Sequence, residues 1–409
     1  MTSQLALYLM VFGALLLVAV LLDDIAARIR LPGILLVLLL GLLIDNNLEA
    51  IPGQPPPLLS LDQADQIAQV ALVLVLFFGG LTTNWAALRS VLRPAARLAT
   101  LGAGLTAILL MGGVLGLERL AGANWAASLP MALFVGAMVC STDASAVLAL
   151  LRPLAGRLPQ RLLDLLECES AFNDPVAVVL AGLALALASG DGDTSASYLV
   201  IEVLRQFLLG ALLGFLGGSL ASQLLSAKLC GGVPSLLAVS SLAVLFLLVG
   251  ATQLLGGSGL LAAYIAGLVL GNSSDCDRDA LEQAHAGFAK LAELLLFLCM
   301  GLVVQPDQVV DSAGRALLVV LALQLVRWPM VEMLLFRVGF SGPERLMISC
   351  AGLRGAVPIA LAIQAAASSV AWGRQMPALA LGVVLIGLVG QAVALVPLAR
   401  RLGLASRVM

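Results

Sequence analysis

Long apolar runs, separated by short groups of glycine, proline and charged residues, dominate the 409-residue chain. Each run approaches the ~20 residues that an α-helix needs to cross a hydrocarbon core about 30 Å thick. Helices suit lipid because they satisfy their own backbone hydrogen bonds. We therefore expect an all-α polytopic membrane protein. The pattern predicts thirteen transmembrane helices, at residues 5–22, 32–47, 66–82, 97–117, 127–151, 161–188, 198–225, 233–250, 253–271, 286–304, 314–337, 344–367 and 376–399.

The charges between the runs predict the orientation, because cytoplasmic loops carry an excess of Lys and Arg. With the N-terminus outside, the inside loops and the tail hold Arg28, Arg30, Arg89, Arg93, Arg97, Arg152, Arg157, Arg161, Lys228, Arg278, Lys290, Arg337, Arg345, Arg400, Arg401 and Arg407. The outside holds only Arg119, Arg205, Arg315 and Arg374. The predicted topology is N-out and C-in.

Composition supports this class. Hydrophobic residues make up 61% of the chain, charged residues 11%, and the mean hydropathy is +1.07, whereas soluble domains carry roughly 25% charged residues. We expect one membrane domain over residues 1–409, multi-pass in the cell membrane, with the lipid bilayer as its surroundings. A net charge of −2 without a basic tract indicates no nucleic-acid partner. The single histidine, His285, falls in the acidic loop 272–287, and no role is expected for it.

Five ionisable residues lie near the middle of predicted helices: Asp143, Glu169, Asp174, Arg327 and Arg354. Each costs about 2.5–3.5 kcal/mol at a helix centre, so such residues are functional candidates, although structural ion pairs are the alternative, above all for the arginines. In ESAFNDPVAVVL, which begins at Glu169, Ser170 and Asp174 continue a stripe that starts at Glu167, with spacing i, i+3 and i+7. That stripe predicts a water-filled path from the cytoplasm to Asp174.

Two predicted helices are interrupted by polar or flexible residues. The segment 134–151 contains Cys-Ser-Thr-Asp, and the segment 350–363 contains Gly-Leu-Arg-Gly followed by Pro358. They belong to the fifth and twelfth helices, and this odd offset is what inverted-topology repeats require. Two discontinuous crossing helices are therefore predicted, with Asp143 at a positive helix N-terminus and Arg354 at a negative C-terminus.

Four segments in this order carry a family resemblance: STDASAVLALL, ESAFNDPVAVVL, LVRWP and GLRGAVPIALA. They resemble the signature segments of monovalent cation:proton antiporters, and more narrowly the NhaP-like bacterial sodium/proton exchangers with an Asn-Asp motif. The combination NDP with GLRGAVPI is most similar to potassium/proton exchangers. The resemblance covers essentially the whole chain and implies thirteen helices.

The resemblance also implies site roles. Asp174 would bind the cation and the proton in turn, with Ser170 and the Thr142 backbone as further oxygen ligands of a monovalent cation. Asn173 would stand where electrogenic relatives hold a second aspartate. Asp143 would brace the crossing, and Arg354 would belong to its other side. Glu169 would pair with Arg327 and join the sixth and eleventh helices.

For the architecture, the resemblance implies two bundles. An ion-carrying core would comprise residues 97–197 and 305–400, and a scaffold that forms a homodimer would comprise residues 1–96 and 198–304. Relatives often carry an acidic residue near Phe78, so a third-helix carboxylate is not expected here. Because the sequence ends at Met409, we also expect no soluble regulatory domain.

The predicted function is secondary active exchange of Na⁺ or K⁺ for H⁺, for pH homeostasis. One carboxylate in a narrow cavity cannot hold a proton and a cation at once, so a single Asp174 beside Asn173 predicts electroneutral 1:1 exchange by alternating access. No enzyme activity and no cofactor are expected, since the ions are substrates. Two alternatives are a passive cation channel and an intramembrane aspartyl protease that uses Asp143 and Asp174.

Overall fold

A computed structural model describes residues 3–29, 33–44, 46, 57–121, 128–190, 196–226 and 234–405. In these ranges the chain is helical, with no strand. The helices are α1 (Ser3–Ile29), α2 (Gly33–Leu42), α3 (Leu61–Thr82), α4 (Trp85–Leu88), α5 (Leu92–Arg97), α6 (Ala103–Ala121), α7 (Leu129–Met138), α8 (Ala144–Leu151), α9 (Gln160–Ser189), α10 (Ala196–Leu224), α11 (Pro234–Leu254), α12 (Gly259–Gly271), α13 (Arg278–Val303), α14 (Pro306–Leu335), α15 (Gly342–Cys350), α16 (Ala356–Ala367) and α17 (Met376–Arg401).

Short polar side chains begin several helices by accepting a hydrogen bond from a backbone N–H that has no partner inside the helix. Ser60 and Gln63 form a reciprocal capping box at α3. Ser341 and Glu344 form another at α15. Asp277 caps α13 by accepting from the backbone N–H of Ala280 at 3.1 Å. Local sequence therefore determines where these helices start.

Among the described residues, nine helical segments are long and apolar enough to cross a membrane, judged by length and composition. Three shorter apolar helices accompany them: α7, α12 and α16. The prediction of an all-α polytopic membrane protein is confirmed. Every one of the thirteen predicted segments contains described helix, while the number of spans and their orientation stay predictions. Arg30, Lys228 and Arg407, which entered the topology prediction, lie outside the described residues.

The two predicted interruptions are present. The segment 127–151 divides into α7 and α8, and residues 139–143 between them are not helical. The segment 344–367 divides into α15 and α16, with residues 351–355 between them. Each break leaves one helix C-terminus and one helix N-terminus inside the fold, and these ends need polar partners.

Small residues allow helices to approach closely, as is common where apolar surfaces meet inside a membrane. Gly80 of α3 lies against the Tyr264 carbonyl of α12, and Gly267 lies against the Phe77 carbonyl of α3. On its other side, α12 meets Gly210, Gly214 and Gly218 of α10, which recur every four residues. A methyl group at these positions would overlap neighbouring atoms, so the glycines set the distance between the helices.

Packing joins the helices into neighbouring groups. In one group, α3 contacts α12 and α13, and α12 contacts α10 and α11. In the other, α7 contacts α6 and α9, and α14 contacts α6 and α17. Helix α16 contacts α3 and α13 of the first group as well as α7, α9 and α17 of the second. The second broken segment therefore lies where the two groups meet.

The structure corrects the assignment of two residues on α13. His285, expected in a loop, is inside this helix and buried, with its Nε2 atom 2.7 Å from the Ser241 hydroxyl oxygen and its ring against Phe77. Lys290, counted among the inner loop charges although it falls inside the predicted span 286–304, lies inside α13. The loop prediction was wrong because α13 begins directly after Asp277, inside a polar sequence that has the composition of a loop.

Candidate functional site at the crossing of two broken helices

The two breaks contact each other directly. The backbone N–H of Asp143, in the first break, donates a hydrogen bond of 2.7 Å to the carbonyl of Leu353, in the second. Backbone groups that leave a helix inside an apolar fold need such partners, because an unpaired buried polar group is costly. The non-helical stretches therefore satisfy each other at a crossing.

Charged side chains complete the helix ends at this crossing. The Asp143 carboxylate caps α8 by accepting from the Ala146 N–H at 3.1 Å. The Arg354 guanidinium donates to the carbonyls of Cys140, at 3.2 Å, and Ser141, both just past the C-terminal end of α7. Both placements confirm the prediction from helix-end charge, in which an anion sits at the N-terminus and a cation at the C-terminus.

Gly355 lets the Asp143 carboxylate come close to the second broken segment. A side chain at residue 355 would overlap the carboxylate, and Gly355 is the residue before the first turn of α16. Asp143 thus lies against the N-terminal ends of both α8 and α16. One carboxylate serves two positive helix ends.

Helix α9 holds the first break through residues that the sequence singled out. Ser170 donates its hydroxyl proton to the Thr142 carbonyl at 2.6 Å and accepts from the Ala144 N–H at 3.0 Å. Asn173 accepts from the Thr142 N–H at 3.1 Å and donates to the Thr142 hydroxyl oxygen at 2.7 Å. Thr142 is therefore held on its N–H, its carbonyl and its side chain.

A buried ion pair lies behind this contact. Glu169 and Arg327 are joined by two contacts, 2.9 Å and 3.1 Å long, and both side chains are at most 4% exposed. Arg327 also donates to the Ile348 carbonyl of α15 at 3.3 Å. The pairing expected from the resemblance is present and connects α9, α14 and the second broken segment.

A cavity of about 350 Å³ opens beside the crossing. Four predicted site residues line it: Asp174, Ser170, Thr142 and Asp143. The remaining wall consists of Val75, Phe78, Gly79, Thr82, Ser141, Ala286, Ala289, Lys290, Glu293, Phe297, Gly355, Ala356, Val357 and Pro358. The cavity lies toward the end of α3 and the middle of α13.

The other predicted site residues lie outside the lining. Asn173, Glu169, Arg327 and Arg354 are buried and contact the breaks or each other rather than the cavity. Glu167 is also absent from the wall, so the expected stripe reaches the cavity only from Ser170 onward. The wall beside Asp174 comes instead from α3, α13 and α16.

Two charged residues of the wall were missed as site residues. Lys290 and Glu293 are three residues apart, on one face of α13. Both fall inside the predicted span 286–304, and this spacing was the signal that could have identified them. Phe78 lines the same cavity. This part of α3, where no carboxylate was expected, therefore contributes an aromatic ring to the wall.

A second cavity, of about 470 Å³, lies along the same helices. Val178 and Gly182, one and two turns beyond Asp174 on α9, line it, as do Ala360 and Gln364 of α16. Five polar residues form much of the rest of its wall: Gln69, Glu202, Arg205, Gln206 and Gln253. The two cavities therefore approach the same part of α9 from opposite ends of the helices.

The residues that line the first cavity carry carboxylate, hydroxyl and backbone carbonyl oxygens. Hard metal cations prefer oxygen ligands of this kind. A carbonyl oxygen has two lone pairs, so Thr142 can accept from Ser170 and still face a cation. A carboxylate can bind either a proton or a metal cation, and Asp174 contributes one to this wall.

Comparison with known proteins adds a family match. A family model described as "Sodium/hydrogen exchanger, transmembrane" matches residues 13–401. The chain is 35% identical over 401 residues to the K(+)/H(+) antiporter NhaP2 of Shewanella sp. (strain ANA-3). This alignment covers 95% of this chain and 66% of that protein. It is 32% identical over 406 residues to the K(+)/H(+) antiporter NhaP of Alkalimonas amylolytica, and this alignment covers 97% of this chain and 67% of that protein. The chain thus spans about two thirds of the length of these relatives.

A solved structure shares the fold. The sodium proton antiporter MjNhaP1 from Methanocaldococcus jannaschii, determined at pH 8, superposes with a TM-score of 0.81. The two sequences are 23% identical, and the match covers 97% of this chain and 99% of the other. The arrangement of helices described above is therefore one that a known membrane protein adopts.

Proposed function

This chain belongs to the family of transmembrane sodium/hydrogen exchangers, and we propose that it is a secondary active antiporter that exchanges a monovalent cation for H⁺. One observation carries the proposal. The crossing of two broken helices places Asp174, Ser170, Thr142 and Asp143 on the wall of a single cavity. Interrupted helices that meet inside the membrane are where transporters bind their ions.

Asp174 is the shared site in this proposal. A proton and a cation compete for its carboxylate, while the Ser170 hydroxyl and the Thr142 carbonyl supply further oxygens to the cation. The carrier moves across the membrane only when one of the two has neutralised Asp174, since an unpaired charge in an apolar barrier is costly. Exchange is then obligatory.

Electroneutral exchange follows from the surroundings of Asp174. The neighbouring polar residue on α9 is Asn173, a neutral amide whose hydrogen bonds are made with Thr142. One ionisable carboxylate that carries either one proton or one monovalent cation gives a 1:1 cycle. Asp143 does not enter the count, because it caps a helix end.

Alternating access uses the two cavities. The first holds Asp174, and the second lies one to two turns further along α9 and α16. In the proposal the core, residues 97–197 and 305–400, moves against the scaffold, residues 1–96 and 198–304, and connects Asp174 with each cavity in turn. The same proposal includes inverted repeats and thirteen spans with N-out and C-in topology. It also includes a homodimer located in the cell membrane.

The transported cation is K⁺ or Na⁺. The two relatives described above are named as potassium/proton antiporters, whereas the family is described by sodium. The chain spans about two thirds of the length of those relatives, and their activity is proposed for it. No cofactor is proposed, because the ions are substrates.

Neither alternative finds support. The relatives are named as antiporters rather than as proteases or channels. An aspartyl protease needs Asp143 and Asp174 to activate one water molecule together, but Asp143 is engaged as a helix cap. The proposed activity is therefore transport and not enzyme catalysis.

The test is cation-driven proton movement in proteoliposomes with a pH-sensitive dye inside. Na⁺, K⁺ and Li⁺ are added in turn, with and without an imposed voltage. We expect dye recovery that requires Asp174 and does not respond to voltage. Asp164→Asn is the matched control, since Asp164 lies on the same helix, accepts from Gln160 at 2.8 Å and does not line the cavity.

Three results contradict parts of the proposal. Recovery that survives Asp174→Asn removes the shared site. Recovery that follows the voltage removes electroneutral exchange. A cation leak without proton movement favours the channel.

A further inference from the structure

Three charged side chains form a cluster between α1 and α13. The Lys290 ammonium lies 3.0 Å and 3.1 Å from the two carboxylate oxygens of Asp23 and 3.3 Å from an oxygen of Glu293. All three side chains are partly exposed, at 29% for Asp23, 44% for Lys290 and 33% for Glu293. One cation thus stands between two carboxylates.

This cluster reaches the cavity of Asp174. Lys290 and Glu293 line its wall, whereas Asp23 does not. Opposite them, α3 contributes Val75, Phe78 and Gly79, which carry no charge. The carboxylates of this wall are therefore Asp143, which caps α8, Asp174, and Glu293 on α13.

We propose that Glu293 is a second cation-binding carboxylate of the transport path and that Lys290 is a built-in cation which the transported ion displaces from it. This inference rests on the proposed function. In the structure the Lys290 ammonium contacts Glu293. An arriving monovalent cation takes the place of the ammonium at Glu293 and then passes to Asp174.

The distances make Lys290 suited to this exchange. It contacts Asp23 through both carboxylate oxygens and Glu293 through one, and the latter contact is the longest. When a cation occupies Glu293, the ammonium keeps its two contacts to Asp23. A lysine ammonium is a compact charge on a flexible stem, so it can shift without a backbone movement.

The energetics permit displacement. Ion pairs with partly exposed side chains are weak, because water competes for both charges. The buried Glu169–Arg327 pair, at most 4% exposed, does not allow such a change of partner, since a charge left alone there would be costly. The Lys290 cluster therefore differs from the structural ion pair in its exposed fraction and in lining the cavity.

The experiment measures exchange kinetics in proteoliposomes for Glu293→Gln, Lys290→Met and the double variant. Glu282→Gln is the matched control, because Glu282 is on the same helix and pairs with Arg278 at 2.6 Å with 30% exposure, but does not line the cavity. The same proteins in detergent are titrated with NaCl or KCl, and the rise of the unfolding temperature reports cation binding without transport.

We expect Glu293→Gln to raise the apparent KM for the cation by about two- to fivefold with little change in maximal rate, the size typical of a partly exposed charge interaction. Lys290→Met should lower the KM by a similar factor, because it removes the competing charge. The double variant should resemble Glu293→Gln, since Lys290 competes only at that carboxylate. In detergent, Glu293→Gln should need a higher salt concentration for the same temperature shift.

Two results would overturn the inference. The first is a KM for Glu293→Gln equal to that of Glu282→Gln. The second is additive effects of the two substitutions. The proposed function fails separately, when the unaltered protein moves no protons in response to any cation, and the detergent titration then still tests cation binding at Glu293.

Discussion

Asn173 of α9 forms two hydrogen bonds with a single residue of the first helix break, Thr142, one with its N–H and one with its hydroxyl oxygen. Asn173 is buried and does not line the cavity. Its amide has a donor and an acceptor, and Thr142 engages both. The side chain next to Asp174 therefore holds the break in place, and this contact positions the Thr142 carbonyl proposed to bind the cation.

Replacing the Asn173 amide tests this positioning contact. Asn173→Ala leaves the buried Thr142 N–H without its partner, which costs about 1–3 kcal/mol. We expect a lower unfolding temperature in detergent and a several-fold slower exchange per folded molecule. Asn272→Ala is the control, because Asn272 also bridges two segments, through the Trp85 N–H and the Thr83 carbonyl, away from Asp174. An equal loss of exchange in both variants would contradict a specific role of Asn173.

The buried pair of Glu169 and Arg327 predicts a stability effect. Glu169→Gln leaves the Arg327 charge in an apolar interior, and breaking a buried pair in this way costs about 3–5 kcal/mol. We expect little folded protein and partial recovery on adding Arg327→Met, which removes the unpaired charge. Thermal unfolding in detergent measures both.

The control for that prediction is Glu332→Gln. Glu332 contacts Arg345 at 2.7 Å, but the two side chains are 34% and 19% exposed. A pair so open to solvent contributes at most about 1 kcal/mol. A loss of stability in Glu332→Gln as large as in Glu169→Gln would show that burial does not distinguish the two pairs.

A methyl group at residue 355 tests whether Asp143 must lie against the N-terminal ends of both α8 and α16. Gly355→Ala places a carbon against the Asp143 carboxylate, so the cap of α8 and the first turn of α16 must separate. Exchange is expected to fall by at least about tenfold, the effect of losing about 1.4 kcal/mol at the site. Gly104→Ala, on α6 with open space around it, should exchange normally. Normal exchange in Gly355→Ala would show that this close approach is dispensable.

The Ser170 hydroxyl predicts a change in cation affinity. Ser170→Ala removes a proposed ligand and the partner of the Ala144 N–H. A neutral hydrogen-bonding group contributes about 0.5–1.5 kcal/mol, so the apparent KM for the cation should rise by about two- to tenfold. Ser189→Ala is the control on the same helix, since its hydroxyl only donates to the Leu185 carbonyl at the surface. Unchanged KM values in both variants would remove Ser170 from the ion site.

The helix breaks show how much of the site could be predicted from sequence. Charged residues inside apolar runs are rare, and helix ends inside a membrane need compensation. Those two rules placed Asp143 at an N-terminus and Arg354 at a C-terminus, where the structure has them. Asp143 caps its own helix, so that placement needed no tertiary contact. Arg354 reaches the C-terminal end of α7, more than 200 residues earlier in the chain, so the sequence predicted a helix C-terminus for it but not which one.

Residues of α13 show where prediction failed. His285 and Lys290 follow a polar stretch, and a polar first turn has the same composition as a loop. Their burial or access to the cavity depends on α3 and α11, which are distant in sequence. The expected stripe reaches this cavity only from Ser170 onward for a related reason, since helical periodicity gives a face but not the partner that covers it.

The sequence by itself determined the membrane class, the helical segments, the two interruptions and the mid-membrane charges, because these follow from transfer free energies and local backbone chemistry. Only the tertiary structure decided that the breaks cross through Asp143 and Leu353, that Asn173 holds Thr142, and that Glu293 shares a cavity with Asp174. These relationships join residues 31 or more positions apart. They depend on how closely helices pack, and glycines at the helix contacts set that distance.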